Sequence, residues 1–242
     1  LPSKGDATTL IERFKWEAEA LERCSHPNLV EVFDSGYDSQ TDTHYLALEY
    51  VEGGTLAHVL AKTKVIDEGR ALKIARGLCL ALQVAAEMGI VHRDVKPANI
   101  LLNRAGEPKL ADLGLSKDTK GSLRLTATGL VMGTPAYMAP EQALSETCLD
   151  VRADLYALGG CVYEMLTGKV PFVEPGRNLI DVVRKRLTED LPNVRFTHPD
   201  VSRATAEIVG RLTRRNRDDR YSSPEEAIAD IDIALEGLAS NS

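Results

Sequence analysis

The chain has 242 residues, 43% of them hydrophobic, which is enough to bury a sizeable core as a single domain in one or two lobes. Its formal net charge of −7 disfavours nucleic acid or an anionic membrane surface as a partner. No signal-peptide pattern or membrane-length apolar run is present, and Cys24, Cys79, Cys148 and Cys161 lack metal-like or redox-like spacing, so a cytoplasmic domain is expected.

From the N-terminus, Ala7 to Cys24 reads as a helix with Asp6 as N-cap and an apolar stripe of Leu10, Phe14, Ala18 and Leu21. Glu17 borders that stripe, so it either meets a partner or stays at the solvent margin. Two strands are expected at Leu29–Asp34 and His44–Val51, joined by the turn-rich Ser35–Asp42. Gly53-Gly54 lets the chain turn into a short helix from Thr55. A long helix follows from Asp67 to Met88, apolar along Leu72, Ala75, Leu78, Cys79 and Leu82, and Gly89 ends it as a left-handed cap.

The next stretch, His92-Arg93-Asp94-Val95-Lys96-Pro97-Ala98-Asn99, crowds four chemically active side chains into seven residues beside a proline that limits the backbone. Ile100-Leu101-Leu102, then Asn103-Arg104-Ala105-Gly106, then Lys109-Leu110-Ala111 read as a β-hairpin centred between Ala105 and Gly106. That register sets Asn99 beside Asp112. An amide oxygen next to a carboxylate suits a hard cation such as Mg²⁺, which takes few protein ligands. Asp94, one loop away, is then a carboxylate available to accept a proton from a hydroxyl.

From Asp112 to Glu141 about thirty residues show little periodicity, a length that inside a compact domain is functional or disordered. Helices are then expected at Asp150–Thr167, apolar on most faces and ended by Gly168, and at Asn178–Leu187, Arg203–Leu212 and Pro224–Leu235. Asp154 is a charge inside the most apolar of these helices and needs hydrogen-bond donors. The Arg-rich run from Arg211 to Arg220, interrupted by Asp218 and Asp219, reads as a solvated loop.

The ordered set of motifs resembles the eukaryotic-type (Hanks-type) serine/threonine protein kinases of bacteria over nearly the whole chain. The resemblance implies an α+β, two-lobed fold. Residues 1–50 would form a truncated small lobe of one helix and two strands, and residues 51–242 a mainly helical large lobe. It implies transfer of the ATP γ-phosphoryl group to protein Ser/Thr hydroxyls with ATP and Mg²⁺. Asp94 matches the catalytic base, with Lys96, typical of the Ser/Thr branch, and Thr134 bridging base and lysine. Asn99 and Asp112 match the Mg²⁺ ligands, and Leu113 replaces the family's usual Phe. Counting back from His26-Pro27-Asn28-Leu29-Val30 makes Glu17 the helix glutamate that orients the ATP-binding lysine. Leu48 falls at the gatekeeper, Glu49 to Val51 at the hinge, and Leu56 and Leu101 at the apolar floor beneath adenine. Gly133 to Glu141, ending in Ala139-Pro140-Glu141, resembles the end of the activation segment. His92 and Asp154 match the pair of motifs that hold the catalytic loop, and Arg220 matches the partner of Glu141. Thr126 and Thr128 sit where many bacterial kinases are phosphorylated, with Arg93 as the cation facing that segment; the alternative is a pair of ordinary loop threonines. Self-association for such phosphorylation is a further implied partner.

The main departure from the pattern is that neither a G-x-G-x-x-G loop nor the lysine partner of Glu17 occurs in the sequence. The chain is therefore expected to resemble a kinase domain that starts late, with weak nucleotide binding and little transfer by residues 1–242 alone. Two readings stay open. One is a protein Ser/Thr kinase; the other is a kinase-like binding or scaffold module without transfer. Lys96 and the Thr134–Glu141 signature speak against a small-molecule phosphotransferase.

Overall fold

The computed structural model describes residues 22, 24–113, 136–174, 176 and 178–240. The expected helix at Ala7–Cys24, apart from Glu22 and Cys24, lies outside these residues, as do Glu17, Thr126, Thr128 and Thr134.

Two antiparallel strands, β1 (Val32–Asp38) and β2 (Thr43–Leu48), pair from Val32↔Leu48 to Asp38↔Thr43 with a bulge between Val32 and Asp34. The expected first strand is thus displaced towards the C-terminus. Ser35 to Asp38, expected as turn, are paired, and the turn is closed by Asp38, whose carboxylate accepts from Gln40 N and Thr41 Oγ1 at 2.8 Å. Leu29, expected to begin that strand, instead bridges to Leu110, with Val30 N on Leu110 O at 3.0 Å and Leu110 N on Asn28 O at 2.8 Å. These bonds fasten the strand pair to the helical body.

That body begins with α1 (Leu56–Thr63), capped by the Thr55 hydroxyl, and α2 (Glu68–Glu87), capped by Asp67. Between α2 and the next helix lies the hairpin of β3 (Ile100–Leu102) and β4 (Pro108–Leu110). The remaining helices are the single turn α3 (Pro140–Ala143), then α4 (Val151–Thr167), α5 (Leu179–Thr188), α6 (Arg203–Leu212) and α7 (Pro224–Ser240). α7 runs five residues beyond the expected end at Leu235.

Apolar α4 is the central strut, buried along nearly its whole length and flanked by α2 and α6. The approach of α6 requires Gly159, because a Cβ there would lie 2.7 Å from Leu212 Cβ and Thr213 Cγ2. Leu72, Leu78 and Leu82 of α2, Leu155 and Leu158 of α4, and Leu212 of α6 join one core. α7 is clamped to α2 by Arg76, whose Nε and Nη2 donate to Asp232 at 2.6 and 3.2 Å. Among the described residues no helix is long and apolar enough to cross a membrane.

Candidate active site

The hairpin sets the geometry, and its register differs from expectation by one residue. Ile100 pairs with Leu110 and Leu102 with Pro108, so the centre is Ala105. The cause is a three-residue loop. Gly106 N bonds Asn103 O at 2.9 Å, Gly106 takes φ 83°, and Asn103 closes on Glu107 through N→O at 3.0 Å and Oδ1 from Glu107 N at 2.9 Å. Asn99 therefore faces Ala111, whose N–H donates to Asn99 O at 2.9 Å, and Asp112 is the next residue beyond the pair.

Preceding β3, the residues around Asp94 are held by their backbone. Asp154, fully enclosed in α4, accepts from His92 N at 2.8 Å through Oδ2 and from Arg93 N at 2.7 Å through Oδ1. Burial pushes the Asp154 carboxyl above its ordinary value, while the two backbone N–H donors and the Arg93 charge oppose that rise. Arg93 sits at φ 64° and Asp112 at φ 57°, a left-handed region that costs a non-glycine residue roughly 1–3 kcal/mol. At Arg93 the bond to Asp154 fixes that conformation. His92, itself buried, accepts from Asp94 N at 3.2 Å through Nδ1, so its Nε2 is the donor to Ala111 O at 2.8 Å. One ring thereby spans the loop and the end of the hairpin.

Asp94 is the focus of the polar contacts. Lys96 Nζ lies 2.8 Å from its Oδ2, and Asn99 Nδ2 donates to Asp94 O at 2.9 Å and to Oδ2 at 3.2 Å. Both Asp94 and Lys96 keep about a quarter of their side-chain surface exposed, so an incoming group can reach the carboxylate. Asn99 is only 8% exposed, and with Nδ2 committed to Asp94 its remaining polar end is the acceptor Oδ1. Asp112 is exposed at the same end of the hairpin. One amide oxygen and one open carboxylate fit a hard divalent cation that completes its shell elsewhere. Among the described residues no cluster of three His, Cys, Asp or Glu forms the richer cage that a softer metal takes.

Just past β2, Glu49 N donates to Glu31 O at 2.8 Å, but Glu31 N is taken by Glu49 Oε2 at 3.2 Å. The Glu49 carbonyl is therefore left out of that pairing. Leu48 is 42% exposed and Val51 half-buried. Leu101 is half-buried, whereas Leu56 is 0% exposed, so of the expected floor pair only Leu101 presents surface and Leu56 lies in the core beneath.

Sequence reasoning missed two further contributors. Lys109 Nζ bonds Glu49 Oε2 at 2.8 Å and Leu29 O at 3.3 Å, tying the hairpin to the end of β2. Gln142 of α3 donates from Nε2 to Arg93 O at 3.0 Å and accepts from Ala139 N at 2.9 Å, joining the segment before α3 to the loop that carries Asp94. Its only signal in the sequence was adjacency to Glu141. Glu141 itself meets Arg220 in a buried bidentate pair. Among the described residues, Tyr137 donates from its hydroxyl to Glu164 Oε2 and lines a cavity of about 460 Å³ with Lys96, Pro97 and Leu60.

A family model described as the protein kinase domain matches residues 3–230. The chain is 36% identical over 229 residues to the serine/threonine-protein kinase PknL of Mycobacterium tuberculosis, covering 95% of the chain and 56% of that protein. It is 36% identical to the serine/threonine-protein kinase PknB of Mycolicibacterium smegmatis, over 94% of the chain and 36% of that protein. With the serine/threonine-protein kinase PrkC of Bacillus subtilis the identity is 33%, over 93% of the chain and 34% of that protein. The chain thus spans between about a third and just over half the length of these curated relatives.

Proposed function

The chain belongs to the protein kinase domain family, and from that premise we propose that the intact protein transfers the γ-phosphoryl group of ATP to serine and threonine hydroxyls of proteins. The observation that carries this reading is the partly exposed Asp94 carboxylate, held by Lys96 and Asn99 in a loop whose backbone is bonded to Asp154. Asp94 accepts the hydroxyl proton as the hydroxyl oxygen bonds to the γ-phosphorus and the bond to the β-γ bridging oxygen breaks. Lys96, with Nζ 2.8 Å from Asp94 Oδ2, orients that carboxylate and places a cation beside the phosphoryl group in transit.

Asn99 and Asp112 would hold Mg²⁺, which when bound offsets charge on the phosphate oxygens. The Glu49 carbonyl and the Val51 backbone would receive adenine beside Leu48, above Leu101. Glu17 and Thr134 keep the roles their motifs imply, and the division into lobes near residue 50 belongs to the same reading. Phosphate on Thr126 or Thr128 would bring about −1.5 to −2 charge towards Arg93, and copies of the chain could supply it to one another.

The test is to incubate the intact protein with Mg²⁺ and γ-labelled ATP in the presence of a generic basic protein substrate. Label on serine and threonine, and none on tyrosine, is the expected result. No transfer to protein, with hydrolysis or a small-molecule product instead, would overturn the reading.

A further inference from the structure

Arg186, in the last turn of α5, is one of the largest fully buried side chains of the protein, at 1% exposure. Its guanidinium lies 5.4 Å from the Tyr156 ring centre and 5.2 Å from that of Phe172. Nη1 donates to Met138 O at 2.7 Å and Nη2 donates to Ala136 O, while Nε is buried without a hydrogen-bond partner. Among the described residues no carboxylate stands within ion-pair distance of it. A buried cation with no counter-charge is unfavourable, and an apolar side chain of similar volume would suit the same space on stability grounds. Burial accordingly pushes the guanidinium below its ordinary value, with the Tyr156 and Tyr137 hydroxyls opposing. What an apolar side chain could not supply is the fork that spans two carbonyls of one short segment.

That segment leads to the site. Its far end, Ala139, is joined through Gln142 to Arg93, next to Asp94, and Tyr137 within it shares a cavity wall with Lys96. Residues 136–139 are thus held from behind by Arg186 and in front by Gln142. We propose that Arg186 is a positioning residue for the protein substrate: it sets the backbone of residues 136–139 at the height at which a substrate chain can lie beside Asp94. This deepens the kinase reading and rests on it.

The geometry separates protein substrate from nucleotide. Arg186 reaches neither the loop of Asp94 nor the ends of β2 and the hairpin, so its loss acts on one substrate alone. In the intact protein, Arg186→Met keeps the length and apolar stem but removes the fork. It is expected to raise KM for the protein substrate about tenfold or more, with KM for ATP within about twofold of the parent. Arg186→Lys, a cation that can reach only one carbonyl at a time, is expected to recover part of the loss. If Arg186→Met does not fold, the Lys variant carries the same two KM measurements and is expected to show a smaller rise in protein KM alone. A protein-substrate KM equal to the parent's, or a parallel change in both KM values, would overturn the inference and leave the kinase reading in place. A parent protein that transfers no phosphoryl group to protein would overturn the kinase reading itself, and the inference with it.

Discussion

Arg220 and Glu141, 79 residues apart in the chain, meet end-on, with Nη1 to Oε1 at 2.7 Å and Nη2 to Oε2 at 2.8 Å, and both side chains are almost wholly enclosed. The remaining Arg220 donors reach Arg214 O at 2.7 Å, Arg152 O at 2.9 Å and Arg215 O at 3.0 Å, so all five N–H groups have acceptors. On one face of this guanidinium lies the Tyr156 ring, 4.7 Å away, whose ring also meets Arg186. The pair fastens α3, and therefore the segment before it, to α4 and the loop ahead of α7.

Removing one partner leaves the other as an unpaired buried charge. Arg220→Met or Glu141→Leu is expected to cost roughly 3–5 kcal/mol in urea unfolding. The double variant Glu141→Leu/Arg220→Met should recover part of that loss but not all, because three carbonyls stay without their donor. A single variant as stable as the parent would show that the pair contributes little.

Glu164 offers a pH test. Burial raises its carboxyl above the ordinary value of 4.5, opposed by the Tyr137 hydroxyl that donates to it. A raised folded pKa means the folded protein binds the proton more tightly than the unfolded chain. Its contribution is therefore fully present below the ordinary value and is lost as pH rises through the raised one. Glu164→Gln retains an acceptor for Tyr137 but cannot ionise. Thermal unfolding at pH values from acid to neutral should show the variant gaining on the parent as pH increases above the ordinary carboxylate value. A constant offset across that window would mean Glu164 does not titrate as the burial dictates.

How much could be read from the residues alone follows the physical origin of each element. Arg203–Leu212 was legible because cap and apolar stripe agree: Ser202 accepts from Thr205 N, and Ile208, Val209 and Leu212 are buried. That Asp154 must find donors was legible because it is a charge in an apolar helix, and the loop that supplies them followed from the family resemblance. The hairpin register was not, since a two-residue and a three-residue loop both fit Asn103-Arg104-Ala105-Gly106, and only the Asn103–Glu107 closure decides. Ser35 to Asp38 carry turn-forming residue types, but pairing with Thr43–Leu46 overrides that preference. Arg186 was invisible because Arg184-Lys185-Arg186 has the look of a solvated face, and its burial is decided by Tyr156 and Phe172 from other parts of the chain.

The metal site is tested through Asp112, the exposed carboxylate one residue past the hairpin. In the intact protein, Asp112→Ala is expected to remove the Mg²⁺-dependent part of ATP affinity, measured by titrating nucleotide with and without the ion. Leu113 beside it is buried, and the hairpin pairs Ile100 to Leu102 with Pro108 to Leu110, so the fold should tolerate the change. An ATP affinity in Mg²⁺ equal to the parent's would remove Asp112 from the site.

Everything in the proposed chemistry passes through the Asp94 carboxylate, so the most direct measurement is single-turnover phosphoryl transfer to a protein substrate by the intact protein and by its Asp94→Asn variant. Asn keeps the size and can still meet Asn99 and Lys96, but it cannot take the hydroxyl proton. The account predicts a rate lower by about 10²–10⁴-fold with affinity for Mg²⁺ and ATP retained. Transfer by Asp94→Asn at the parent rate would contradict it.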